Sequence, residues 1–240
     1  MKDSIHIDSK GVQMVAHRGL SGLEKENTAA AFVAAGNRSY YGIETDVHCT
    51  ADGKFVVIHD NTTARVALDN LEVEKTTFDT LRAIRLCDTD GVTKRADLCI
   101  PTLKEYVRIC KKYEKVCVLE LKSRIRYADI ARIIDEIREE EYLDKVIFIS
   151  FSLDNLIDLR AILPEQPAQY LTSTYTDHLI DTLLKHHLDL DIYYKALTEE
   201  NVKQIKAAGL TLNCWTVDDP AAAAQLIEWG VDQITSNILE

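Results

Sequence analysis

A chain of 240 residues with a formal net charge of −11 suits one large α/β domain, and its acidity argues against general nucleic-acid binding or attachment to anionic lipid. Its apolar and charged fractions, 46% and 28%, are ordinary for a globular protein, and a core of this size needs no disulfide or metal staple. No apolar run reaches bilayer-spanning length, the amino-terminal stretch lacks a signal-peptide core, and the six scattered cysteines contain no CxxC pair. The expectations are a cytoplasmic protein with free thiols, no stable membrane insertion and a single domain over residues 1–240.

Residues 12–16 read as a short buried strand that runs into His17-Arg18-Gly19. Glu26-Asn27-Thr28 then opens an alanine-rich helix, with Asn27 or Thr28 as the N-cap that holds the free N–H groups of the first turn. A second strand carries Ile43-Glu44-Thr45-Asp46-Val47, and a third, residues 55–58, delivers His59-Asp60. Between them Asp52-Gly53 is a favoured two-residue hairpin turn. That turn places Asp46 opposite His59, on the same face as Glu44, because strand side chains alternate. His48 shares this face, farther along.

Residues 61–100 interrupt the alternation with a polar segment, a short helix at 77–86 and a loop around Asp90-Gly91. A connection this long inside a compact domain is usually functional or disordered. From Pro101 the pattern is regular. Helices are predicted at 102–113, 127–142, 153–163, 177–187, 199–208 and 219–229, and strands at 115–121, 146–151, 168–172, 190–194, 211–217 and 231–236. Gly209 stops one helix, and Pro220 opens the last. Short apolar strands alternating with amphipathic helices mean a parallel sheet covered on both faces. An open sheet and a closed barrel both fit, and eight parallel strands favour a TIM-type (β/α)8 barrel. The chain runs out just after the last strand, so the final outer helix is expected to be missing or replaced.

His17-Arg18-Gly19, Glu26-Asn27-Thr28, Glu44-Thr45-Asp46, His59-Asp60, Glu120-Leu121-Lys122 and Trp215-Thr216-Val217, in this order, resemble the glycerophosphodiester phosphodiesterase family over nearly the whole chain. The resemblance implies the barrel, with the insertion of residues 61–100 after the second strand and its hairpin. The sequence departs from the family pattern at Lys25, where a proline is usual, and at Thr235-Ser236-Asn237, where Thr-Asp is usual.

Catalytic groups of such a barrel sit at strand C-termini, where His17, Glu44, Asp46, Glu120, Lys122 and Trp215 fall. Glu44, Asp46 and Glu120 have no evident basic partner each, so together they call for one divalent cation with oxygen ligands, Mg²⁺ or Ca²⁺. The resemblance assigns these three as the metal ligands and His17 and His59 as the acid–base pair. Arg18 and Lys122 suit a phosphate, Trp215 an apolar wall against glycerol, and Asn27 either substrate or its helix cap. The implied activity is metal-dependent hydrolysis of small-molecule glycerophosphodiesters to sn-glycerol 3-phosphate and an alcohol. A variant has the glycerol hydroxyl attack first, through a cyclic phosphate. The alternatives are a related barrel phospholipase acting on inositol or sphingoid lipids and a non-catalytic phosphate-ligand-binding protein.

Overall fold

The computed structural model describes residues 3–240. Eight strands run parallel and close on themselves, and a ninth pairs antiparallel at one edge. The order in the chain is β1 (Gln13–Ala16), β2 (Gly42–Cys49), the antiparallel β3 (Phe55–Val57), β4 (Val116–Leu121), β5 (Val146–Ser150), β6 (Ala168–Thr172), β7 (Asp189–Tyr193), β8 (Leu212–Trp215) and β9 (Gln233–Ser236). Closure follows from β1, which is hydrogen-bonded to β2 on one side and to β9 on the other. The fold is the (β/α)8 barrel that the strand count favours.

Seven helices cover the outside: α1 (Ala29–Gly36), α3 (Leu103–Lys112), α4 (Tyr127–Glu139), α5 (Leu153–Ile162), α6 (Leu179–His186), α7 (Glu199–Ala207) and α8 (Pro220–Trp229); α2 (Phe78–Ala83) belongs to the insertion. Strand alternation splits the apolar side chains between two cores. Ile43, Val47, Leu119, Leu121, Ile192 and Leu212 face helix residues such as Phe32, Ile133 and Leu156. Val15, Val118, Ile147, Ile149 and Leu171 fill the barrel interior. Each buried Ile, Leu or Phe contributes about 1.5–3 kcal/mol. No helix among the described residues is long and apolar enough to cross a membrane.

Local chemistry sets the helix starts. Thr28, not Asn27, caps α1 by accepting from the Ala31 N–H, while Thr102 and Glu105 close a reciprocal capping box on α3. Asp219 caps α8 ahead of Pro220 at its first position.

The hairpin differs from expectation by one residue. Val47 pairs with Val57 and Cys49 with Phe55, and the Asp46 carbonyl accepts from the Ile58 N–H at 3.1 Å. Asp46 therefore lies opposite Ile58, not His59. The cause is a three-residue loop, residues 51–53: Gly53 takes a left-handed conformation (φ 72°), its N–H bonds to the Thr50 carbonyl at 2.9 Å, and Thr50 pairs with Lys54 at 2.8 Å. This is a tight turn followed by a glycine bulge rather than a two-residue turn.

Residues 61–100 are ordered around a small core of their own. Val56 and Ile58 of the hairpin pack with Val66, Val73, Leu81, Leu86, Leu98 and Ile100. No helix follows β9 among the described residues. There Ile5 and Ile7 donate backbone hydrogen bonds to Ile238 and Glu240 at 2.9 and 2.8 Å, and Leu239 is fully buried in the outer core.

Candidate active site

The carboxylates come from adjacent strands. Glu44 and Asp46 alternate inward on β2, and Glu120 lies beside Asp46 in the parallel register of β4. One oxygen from each falls within 4.8 Å of the others, and all three residues are buried. The turn after β1 aims at this cluster. Arg18 is left-handed (φ 54°), so its backbone N–H donates to Glu44 Oε2 at 2.8 Å, and Gly19 follows at φ 75°. A Cβ on Gly19 would sit 2.7 Å from Ala31 backbone and side chain, which explains the glycine. Asn27 donates from Nδ2 to Asp46 Oδ2 at 2.8 Å and accepts from Thr45 Oγ1 at 2.7 Å. It serves the carboxylate cluster rather than the helix end.

Both histidines are held by Nδ1. For His17 that partner is Asn237 Oδ1 at 2.7 Å. Asn237 is oriented by donating from Nδ2 to Asp218 Oδ2 at 2.6 Å, so its oxygen must face the ring. His59 Nδ1 lies 2.6 Å from Asp60 Oδ1, and Arg65 Nε donates to Asp60 Oδ2 at 2.6 Å. Each Nδ1 therefore carries a proton, which leaves each Nε2 as the nitrogen that takes or gives the second one. His17 Nε2 lies 4.0 Å from Glu44. His48 is diverted: its Nδ1 meets Glu74 at 3.0 Å and its Nε2 the His59 carbonyl at 3.3 Å, so it braces the chain beneath His59.

A chain of ion pairs connects the two flanks. Arg65 reaches Glu26 at 2.5 and 2.9 Å, and Glu26 accepts from Arg18 at 2.9 Å. Arg65 lies in the insertion, five residues after Asp60. Its spacing alone does not reveal that it returns to Glu26. Lys122 lies 3.0 Å from Glu120 and 3.5 Å from Asp46. Its loop is pinned by the buried Asn155, which donates to the Leu121 and Ser123 carbonyls at 3.3 and 2.7 Å. Asn155, Asn237 and Arg65 all escape sequence reasoning, since each acts on residues at least 30 positions away or through a loop whose path is not local.

His17, Arg18, Glu44, His59 and Glu120 line one side of a cleft of about 80 Å³; Ile149, Phe151, Leu171, Asp191, Trp215 and Thr235 line the other. Trp215 packs edge-on against Phe151 and beside Tyr193, each at 5.6 Å between ring centres. A larger depression of about 920 Å³ opens at the opposite mouth of the barrel, over Gln13, Gln169 and Gln233, away from the carboxylates.

The carboxylates cannot all ionise unaided. Burial, then the charge of Asp46, pushes Glu44 well above the usual carboxylate range and Glu120 up to about 8. Against the cost of its own burial, Lys122 and Arg18 hold Asp46 well below that range. Asp46 Oδ1 has no hydrogen-bond partner. Three buried carboxylates converging with a vacant acceptor fit a hard divalent cation. Burial, then Arg18, lowers His17 to about 4, and burial lowers His59 as well. Arg65 and Arg18 hold Glu26 down to about 2 against its burial, and Arg65 does the same for Asp60.

A parallel barrel with an acidic centre, two Nε2-presenting histidines and two cations at its C-terminal mouth defines a barrel hydrolase of the phosphate-ester kind. The Glycerophosphoryl diester phosphodiesterase family model matches residues 17–239, and the chain belongs to that family. A glycerophosphodiester phosphodiesterase of Caldanaerobacter subterraneus subsp. tengcongensis is 32% identical over 93% of this chain and 93% of its own length. One from Bacillus subtilis is 29% identical over 93% of this chain and 82% of its own. Among solved structures, an Oleispira antarctica phosphodiesterase in complex with the product sn-glycerol-3-phosphate superposes with a TM-score of 0.89 at 27% identity, covering 97% of this chain and 96% of that one.

Proposed function

We propose that the chain hydrolyses glycerophosphodiesters to sn-glycerol 3-phosphate and a free alcohol, with His17 and His59 as the acid–base pair. The observation that carries this reading is one small cleft bordered by the carboxylate cluster and by both histidines, each held by Nδ1. Glu44, Asp46 and Glu120 would hold a divalent cation, Mg²⁺ or Ca²⁺, which would neutralise charge at the phosphate and acidify the attacking hydroxyl or water. Arg18 and Lys122 bind the phosphoryl oxygens.

His17 has a neutral amide partner and accepts a proton from the nucleophile as its oxygen bonds to phosphorus. His59 has a carboxylate partner that favours its imidazolium, and it protonates the alcohol oxygen as the P–O bond breaks. The nucleophile is water or the glycerol's own C2 hydroxyl, and a single turnover in labelled water separates the two. Solvent label entering phosphate directly, without a cyclic product, rejects the hydroxyl route. The unpaired cysteines support a cytoplasmic setting.

The test of the activity is a panel of glycerophosphodiesters assayed for glycerol 3-phosphate release, with chelator and metal add-back. Release that depends on the metal is the expected result; binding of glycerophosphocholine without turnover in either metal would overturn the proposal.

Arg65 makes a further prediction. Because it holds both Asp60 and Glu26, Arg65→Ala is expected to lower kcat/KM by roughly 10- to 100-fold. Arg65→Lys should recover little, since one ammonium cannot bridge two carboxylates as a guanidinium does. Steady-state kinetics on both variants check this, and full activity of Arg65→Lys contradicts the bridging role.

A further inference from the structure

The cleft has an end that the acid–base and metal groups leave unused. There Asp191 projects inward from β7, paired in register with Asn213 of β8, while Trp215 stands one inward position higher on β8. Asp191 is 2% exposed. Its Oδ1, the Asn213 Nδ2 and the Trp215 Nε1 are all buried without a hydrogen-bond partner, and of the three residues Asp191 and Trp215 line the cleft. A buried polar atom left unpaired is costly, and such atoms cluster where a ligand completes them. Asp189, two residues earlier on the same face, shows the contrast: its Oδ1 accepts from the Thr211 N–H at 2.7 Å.

The two orphan atoms at the cleft are complementary in kind. A carboxyl oxygen accepts and an indole N–H donates, and a hydroxyl is the small group that does both in return. The surroundings suit an uncharged polar group. Burial pushes the Asp191 carboxyl up to about 8, with the neighbouring Asn213 pulling the other way, so it is mostly uncharged at neutral pH. Ile149, Phe151, Leu171 and the Trp215 ring make the apolar walls, with Thr235 beside them. A space of about 80 Å³ admits a unit of a few heavy atoms, so a bulky alcohol must leave outward.

Resting on the phosphodiesterase reading, we infer that Asp191 and the Trp215 indole N–H bind the terminal, primary hydroxyl of the substrate's glycerol unit. Asp191 is thus a specificity residue. The phosphoryl group stays with Arg18, Lys122 and the carboxylate cluster, the C2 hydroxyl lies between, and the primary hydroxyl reaches the far wall. A substrate lacking that hydroxyl leaves both protein atoms unpaired.

The test compares two substrates in each of four proteins. One substrate is glycerophosphocholine; the other is its analogue in which the glycerol CH₂OH is replaced by CH₃. The ratio of their kcat/KM values, read by choline release with metal present, reports the hydroxyl alone. The wild type is expected to favour glycerophosphocholine by roughly five- to a hundredfold. Asp191→Leu, close in size, brings the ratio towards one; Asp191→Asn, which still accepts and donates, keeps most of it. Trp215→Phe keeps the ring, removes the N–H and lowers the ratio in part, which carries the test if Asp191→Leu fails to fold. An unchanged ratio in folded Asp191→Leu, or in Trp215→Phe where that variant is the one tested, overturns the inference. So does a wild type with no preference. Cleavage of neither substrate by the wild type instead overturns the phosphodiesterase reading itself.

Discussion

His17→Ala and His59→Ala are each expected to lower kcat by about 10²- to 10⁴-fold, the usual worth of a positioned acid or base. The two losses should respond differently to the leaving group. An aryl phosphodiester departs as a stable phenolate and needs no proton, so His59→Ala should recover most of its activity on it while His17→Ala does not. The reason is the partner: Asp60 favours a charged His59, whereas Asn237 offers His17 only an amide oxygen. Kinetics with an alkyl and an aryl substrate decide the matter. A loss below tenfold in either variant removes that histidine from the chemistry. Equal recovery in both removes the division of labour.

Saturating Mg²⁺ or Ca²⁺ is expected to stabilise the metal-free protein, more at pH 8 than at pH 5. In the metal-free state Glu120 keeps its proton up to about 8, against an ordinary value of 4.5, and Glu44 is displaced in the same direction. The unfolded chain releases those protons near 4.5. The stability they contribute is therefore complete below that pH and is lost as pH rises towards 8. A cation must displace the protons, so it binds better as they leave and drives their release at neutral pH. A hundredfold excess over Kd is worth about 2.7 kcal/mol, or roughly 5–10 °C in Tm for a chain of this size. Melting curves across pH, with proton release by calorimetry in two buffers, check both parts. Asp46→Asn should remove the gain. A gain that shrinks as pH rises contradicts the assignment.

Much of the site is visible in short words of sequence. Glu44 and Asp46 alternate on one strand, Glu120 ends another in the barrel, and the histidines follow apolar runs. These features depend on strand period and strand ends, which are local. The hairpin register was not readable in the same way. Asp52-Gly53 serves a two-residue turn and a three-residue turn with a glycine bulge equally well, and the choice shifts every pair by one. His48 shares the inward face of Asp46, yet Glu74 of the insertion draws it away.

The sequence by itself determined the alternation of strands and helices and the chemical identity of the carboxylates, histidines and cations. Each follows from side-chain period or residue type. Tertiary structure decided that β1 meets β9, that Asn237 holds His17, that Arg65 joins Glu26 to Asp60, and that Asp191 stands unpaired beneath Trp215. Those meetings join positions up to 220 residues apart. They depend on barrel closure and on the path of loops, and no local propensity carries that information.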